Sequence, residues 1–331
     1  MKKLNEKGFA ISTILYGSLA VILILLMGIF SVIRTTKNMN DNFNEDIVKK
    51  LNECVTDEII LEQCYVAGGT CDTTSYYSCM GVTEDEIPNP ATMSTIKDKL
   101  VASNGSLATG LHSDPYEPNR YIYRGPSANN YLTYAGYIWR ILAIEADGSI
   151  KIIIDPSAND IITYWDDNNS PSNEWQGAAL NNYINTTFYN AVITDTDKVI
   201  QKDWNVGTIY SEALEGVDSL VAGEKSSIYN GSNSTVGLIT MSEYLRSSLT
   251  PACETDIYAT CSSWLPKNMW TINGYVGSST DKMASYVTSS GAISSAVVTR
   301  SDIKAYPVIF LKNTVKISSG DGSVGTPFIL N

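Results

Sequence analysis

Tyr137-Ile138-Trp139-Arg140-Ile141-Leu142-Ala143-Ile144, then Glu145-Ala146-Asp147-Gly148-Ser149, then Ile150-Lys151-Ile152-Ile153-Ile154, reads as two strands joined at an Asp-Gly turn. β-branched and aromatic side chains fit a pleated, buried surface, and Asp-Gly supplies the positive φ that a tight reversal needs. Alternation with period two places Trp139, Ile141 and Ala143 on one side of the first strand and Arg140 and Leu142 on the other. Tyr121-Ile122-Tyr123 reads as a strand before the hairpin, and residues 236–241, 270–272, 283–287, 292–298, 308–311 and 315–317 read as strands after it. One helix is expected over 174–182, extending to Phe188, with Ser172 or Asn173 as its cap and Leu180, Tyr183, Ile184 and Phe188 on one face. The fold class is therefore α+β: a mostly antiparallel, loop-rich, β-rich head over 119–331.

Working outward, residues 63–118 form a Cys-rich patch and a polar connector with Pro88, Pro90, Pro115 and Pro118, carrying one short helix near 93–101. Before it lies a long helix over 9–62. Residues 9–33 form an uncharged run of twenty-five, long enough at ~1.5 Å per residue to cross a bilayer of ~30 Å. Met39, Phe43, Ile47, Val48, Leu51 and Val55 continue it at helical spacing as an amphipathic stalk. Lys2, Lys3 and Lys7 against Glu6 keep the leader, residues 1–8, in the cytoplasm and send the rest outward. The expected location is a cell membrane crossed once, with the carboxyl-terminal domain outside and membrane lipid as a partner.

Composition narrows the chemistry. Lys and Arg number 23 against 35 Asp and Glu, a net charge of −12, so the basic face that phosphate backbones demand is missing and nucleic acid is not an expected partner. The one histidine, His112, rules out multi-His metal sites and leaves little room for a His-based triad. The six Cys (Cys54, Cys64, Cys71, Cys79, Cys253 and Cys261) make no CxxC, and an even count on an outward-facing chain reads as disulfides. Proximity favours Cys253 with Cys261; three pairings stay open for the first four.

Trp165-Asp166-Asp167-Asn168-Asn169 joins an aromatic ring to an oxygen-rich loop, and Trp165, Asp166 and Asp167 are the candidate ligand surface for a glycan. The same oxygens could take calcium, although the spacing lacks an EF-hand pattern, so no cofactor is assigned. No pair of carboxylates stands out for hydrolysis, and the chain is read as a non-enzyme.

The residues Lys7-Gly8-Phe9, a basic leader ending in Gly and followed by Phe and an apolar helix, resemble the class III leader of type IV pilins and pseudopilins. The resemblance implies that a prepilin peptidase cuts between Gly8 and Phe9 on the cytoplasmic face, and that identical or related pilin-like subunits are partners. The fifth mature position, usually Glu in that family, is Thr13. Farther on, Tyr137-Ile-Trp-Arg-Ile-Leu, Trp175-Gln-Gly-Ala-Ala-Leu-Asn-Asn-Tyr-Ile-Asn, Val236-Gly-Leu-Ile-Thr, Trp270-Thr-Ile-Asn, Tyr306-Pro-Val-Ile-Phe-Leu-Lys and Gly320-Asp-Gly-Ser resemble an uncharacterised domain of Bacillota surface proteins. That resemblance implies a fold similar to the C-type-lectin-like or formylglycine-generating-enzyme-like class, with Tyr306 standing where relatives usually have Arg. Together these imply a cell-surface structural subunit, pilin-like or pseudopilin-like, that displays a lectin-like head and serves adhesion. The alternative is a single-pass anchored surface protein that binds glycan or a host ligand without filament assembly.

Overall fold

A computed structural model describes residues 93–157, 161–162 as backbone, 164–211, 216–232 and 234–331. The chain divides into two compact units, Met1–Asn89 and Pro90–Asn331, and the described residues belong to the second. The leader with Gly8 and Phe9, the apolar run, the stalk and Cys54, Cys64, Cys71 and Cys79 lie outside the described residues. Among those described, no helix is long and apolar enough to cross a membrane.

The unit is β-rich with few, short helices, and its larger sheet curls. Its strands are β1 (Leu111–Ser113), β2 (Tyr121–Tyr123), β3 (Tyr131–Tyr134), β4 (Tyr137–Ile144), β5 (Ile150–Ile154), β6 (Ile161–Ile162), β7 (Trp204–Asn205) and β8 (Ile209–Tyr210). There follow β9 (Ile228–Tyr229), β10 (Met269–Val276), β11 (Met283–Val287), β12 (Ile293–Val297), β13 (Lys304–Ala305), β14 (Val308–Leu311), β15 (Ile317–Ser319) and β16 (Phe328–Leu330). The helices are α1 (Ile96–Leu100), α2 (Ala179–Tyr183), α3 (Tyr189–Val192), α4 (Val217–Glu224), α5 (Met241–Arg246) and α6 (Ala252–Thr255). The globular unit begins well before residue 119. Ile96 and Leu100, one helical turn apart, bury one face of α1, Thr95 caps that helix by accepting from the Asp98 amide, and β1 pairs antiparallel with β2.

β4 is the hub of the larger sheet. One edge runs antiparallel along β5, which in turn pairs with β14. The other edge is divided, with residues 137–140 against β3 and 143–144 against β2. Asn130 takes a strand's place in the gap: its carbonyl accepts from the Ile141 amide at 2.8 Å and its Nδ2 donates to the Ile141 carbonyl at 2.7 Å. A central strand with both edges paired leaves no backbone group of Ile141 wanting.

The hairpin forms as read from the sequence, with one correction. Trp139 pairs with Ile154, Arg140 with Ile153 and Ile141 with Ile152, but Ala143 pairs with Lys151 and Ile144 with Ile150. Leu142 is thus an extra residue, a β-bulge, and it reverses the alternation that follows. Ala143 joins the face of Arg140, while Ile144 joins the face of Trp139 and Ile141. Both faces are buried from Trp139 onward, which explains a run more uniformly apolar than an amphipathic strand needs.

The Trp139 face packs on the helical segment 179–192, where Trp139 meets Phe188 edge-on at 6.5 Å. That segment is α2, a π-helical stretch Ile184–Phe188, then α3, preceded by a 3₁₀ turn Trp175–Gly177. Leu180, Ile184, Phe188 and Val192, spaced by four, are all buried. Such a stripe would drift around an α-helix, and the extra residues per turn of the π stretch hold it in line. Tyr183, expected on this face, is 40% exposed, since it lies one residue off the stripe. The Ser172 hydroxyl accepts from the Glu174 amide at the start of the segment.

The second sheet runs β12-β11-β10-β13-β6, with β8 also on β10. Its strands match the runs at 270–272, 283–287 and 292–298. The β10–β13 and β10–β8 pairs are parallel, as is β16–β3 in the first sheet. Residues 236–241 differ from expectation: Gly237 makes one bridge to Val308, and then Thr240 caps α5, because its hydroxyl and the Glu243 side chain form a reciprocal capping box. Trp270 of β10 lies 6.0 Å from Trp165, which contacts Trp175 at 5.4 Å, and all three are buried.

Trp139 and Trp165 are both fully enclosed, at 0% exposure. Replacing either with Ala in the full chain should cost ~3–5 kcal/mol, through lost transfer energy plus the cavity left behind. Denaturant unfolding checks this, and a loss below ~1 kcal/mol at either position would be inconsistent with the packing described.

Candidate functional site

The reverse face of the hairpin carries Lys151 in an otherwise apolar strand, and its ammonium reaches the N-terminal turn of α5. Lys151 Nζ donates to both oxygens of Glu243, at 2.6 and 2.8 Å. Glu243 Oε1 also accepts from Arg120 Nη2 at 2.8 Å, and Oε2 accepts from the Thr240 amide at 3.0 Å. Arg120, just before β2, donates further to Asp114 at 2.5 Å and to Glu145 at 3.0 Å. Arg246, at the end of α5, shares Asp114 at 2.5 Å. The result is a closed set of buried charges from five separate stretches of chain. Burial raises the Glu243 proton affinity, but Lys151, Arg120 and Arg246 outweigh it and hold the carboxyl near a pKa of about 2. Arg120 is held well above its ordinary value by Glu145, Glu243, Glu117 and Asp114, against the effect of burial.

Glu224, the last residue of α4, meets the first turn of α5 and lines the same cavity as Glu243. It accepts from the Ser242 amide at 2.7 Å and from the Ser242 hydroxyl at 2.5 Å. Burial pushes its pKa up to about 6, against the Ser242 hydrogen bonds and the charge of Arg246. Trp204 and Phe310 close the site from a third side, with Lys151 Nζ 5.4 and 5.2 Å from their ring centres. Between these walls lies a cavity of about 90 Å³ whose mouth carries Glu117, Lys202 and Lys225. Glu145 Oε1, on its wall, is sealed from solvent and has no hydrogen-bond partner among the described residues. The cavity can hold a small polar group that donates to this oxygen. Ser242 gives its hydroxyl hydrogen to Glu224, and His112 lies apart on β1, so the arrangement offers fixed charge and hydrogen bonds rather than an activated nucleophile.

The surface predicted at Trp165, Asp166 and Asp167 is not built as expected. Trp165 is inside the aromatic cluster and cannot present its face to a sugar ring. Asp166 is 1% exposed, and its carboxylate accepts from the Asn168 amide and side chain and from the Ser172 amide, bracing the loop from within. N–H donors thus already engage both Asp166 oxygens. Asp167 alone faces solvent. Cys253 and Cys261 are joined in a disulfide with Cα atoms 6.0 Å apart, as proximity in the sequence suggested. None of the cluster's residues was singled out from the sequence, yet two signals were visible: Lys151 between isoleucines, and Thr240-Met-Ser-Glu243, a capping-box pattern. Compared with known proteins, the chain matches no protein family, no curated protein and no solved structure.

Glu224 makes a signed pH prediction. Its carboxyl holds a proton more tightly folded, at about 6, than at its ordinary 4.5, so its ionised form costs stability above 6. That cost, about 2 kcal/mol, is relieved as pH falls from 6 to 4.5. Glu243 acts oppositely: its stabilisation is full above 4.5 and is lost as pH falls toward 2. Glu224→Gln, which mimics the protonated acid, should therefore unfold later than the native chain at pH 7, and the gap should close by pH 4.5. Denaturant titrations of both chains across this range check it; a gap that stays constant with pH would count against a buried, titrating Glu224.

Proposed function

We propose that the chain is a pilin-like or pseudopilin-like structural subunit of a bacterial cell surface, anchored by residues 9–33 and displaying the β-rich unit outside. The observation that carries this reading is Lys7-Gly8-Phe9 leading directly into an uncharged run of twenty-five residues. The Cys253–Cys261 disulfide supports an oxidising compartment for the displayed unit. A curled β-rich sheet with few helices is consistent with a lectin-like head, the finer fold that the Trp-Arg and Tyr-Pro-Val segments suggest. On this reading membrane lipid, a prepilin peptidase and related pilin-like subunits are the partners. The buried charges serve architecture: they are matched acid to base and bind the pieces of the head together.

Thr13, where pilins usually carry Glu, favours a second reading in which the helix stays in the membrane as a simple anchor and the head binds a glycan or host ligand. The two differ at one bond. Protein recovered from cells that possess a prepilin peptidase should begin at Phe9 by amino-terminal sequencing and intact mass, and Gly8→Leu should abolish the shift. Recovery of protein beginning at Met1 from such cells would overturn the pilin-like reading and leave the anchor.

A further inference from the structure

Arg140, on the hairpin's reverse face, stands apart from the other described arginines. Arg120, Arg124, Arg246 and Arg300 each pair with a carboxylate. Arg140 forms no ion pair among the described residues, although only 9% of it is exposed. Its Cζ lies 4.1 Å from the ring centre of Tyr131 and 4.5 Å from that of Trp264, and Trp264 is pinned by a hydrogen bond from Nε1 to the Tyr123 carbonyl. Two neutral oxygens hold one edge of the guanidinium: Nε donates to Asn130 Oδ1 at 2.8 Å and Nη2 to the Ala128 carbonyl at 3.0 Å. Asp155 attracts Arg140 through space but makes no ion pair with it, and spends Oδ1 on the Ser157 amide and hydroxyl.

Nε and Nη2 lie along the side edge of a guanidinium. The end edge, formed by Nη1 and the second N–H of Nη2, is therefore uncommitted, and Nη1 is not among the buried polar atoms lacking a partner, so it reaches solvent. A planar cation held rigid by two rings and two acceptors, with one fork in reach of solvent and no carboxylate within ion-pair distance, has the shape that a carboxylate meets through two parallel N–H···O bonds. Desolvation makes such a cation costly alone and strengthens its attraction for an anion. We propose that Arg140 is a binding site for a carboxylate group borne by an external ligand, separate from the charge cluster at Glu243 and independent of whether the chain assembles into filaments.

The test is saturable stabilisation of the full chain in thermal unfolding, with acetate and glucuronate as carboxylate probes and glucose as the neutral match, at constant ionic strength in chloride. Both carboxylates should raise Tm along a saturating curve and glucose should not; a larger effect of glucuronate than of acetate would assign the carrier as a sugar acid, and an equal effect would assign recognition to the carboxylate alone. Arg140→Lys keeps the charge and removes the fork, and should weaken either carboxylate at least about tenfold. Should that variant not fold, Tyr131→Leu removes, at a half-buried position, one of the two rings that hold the guanidinium and should weaken the probes severalfold. Absence of a saturating shift in the native chain, or an undiminished shift in the variant, overturns the site.

Discussion

A single buried carboxylate, Glu243, fixes how the parts of the β-rich unit meet. It caps α5 through the Thr240 amide, receives Lys151 from β5 and receives Arg120 from the approach to β2. Each of those groups has left water, so each depends on the others. Removing one partner of such a set characteristically costs ~3–5 kcal/mol, because the charges left behind have no solvent to turn to. Hydrophobic burial supplies most of the driving force for folding, but it does not specify direction. Ion pairs between fixed atoms do, and here they select one placement of α5 against the hairpin and one path for residues 114–120.

Around that anchor the two faces of the hairpin are used differently. The Trp139 face is apolar and is sealed by the stripe from Leu180 to Val192. The other face holds cations, Arg140 toward one end and Lys151 toward the other, each lying beside aromatic rings. The two cations meet opposite fates. Lys151 is neutralised from within by Glu243, whereas Arg140 donates to neutral acceptors and feels Asp155 only through space. Their environments differ because β5 faces a helix whose first turn carries an acid, while the β3 edge offers Asn130, whose amide is already committed to filling the gap between two strands.

Much of the sheet could be read from the chain because alternation and turn residues are local signals. The hairpin, and the strands near 283–287, 292–298 and 308–311, lie where apolar periodicity placed them. The misreadings have identifiable physical sources. Trp165 looked exposed because its neighbours Asp166, Asp167, Asn168 and Asn169 are polar, yet Asp166 turns inward to satisfy loop amides and carries the Trp into the core. Residues 236–241 are apolar enough for a strand, but the capping box at Thr240 and Glu243 converts their end into a helix start. The charge cluster was not legible as a unit because its members are scattered from Asp114 to Arg246 and converge only in three dimensions. Isolated charges within apolar runs, such as Lys151, are the trace that such convergence leaves in a sequence.

The bulge at Leu142 gives β4 two reading phases. Up to Ile141, odd-numbered residues face the helical segment; beyond it, even-numbered ones do, as the pairing of Ile144 with Ile150 requires. A substitution in this strand is felt at one position, whereas a residue gained between Leu142 and Ala143 shifts the phase of everything downstream and would exchange the faces on which Ala143 and Ile144 lie. The strand therefore tolerates changes of spelling far better than changes of length. The same arithmetic applies to the partner edge, since Asn130 meets Ile141 immediately before the extra residue. Variation that this domain can absorb is thus confined to side chains within the hairpin, with changes in length displaced to the loops around it.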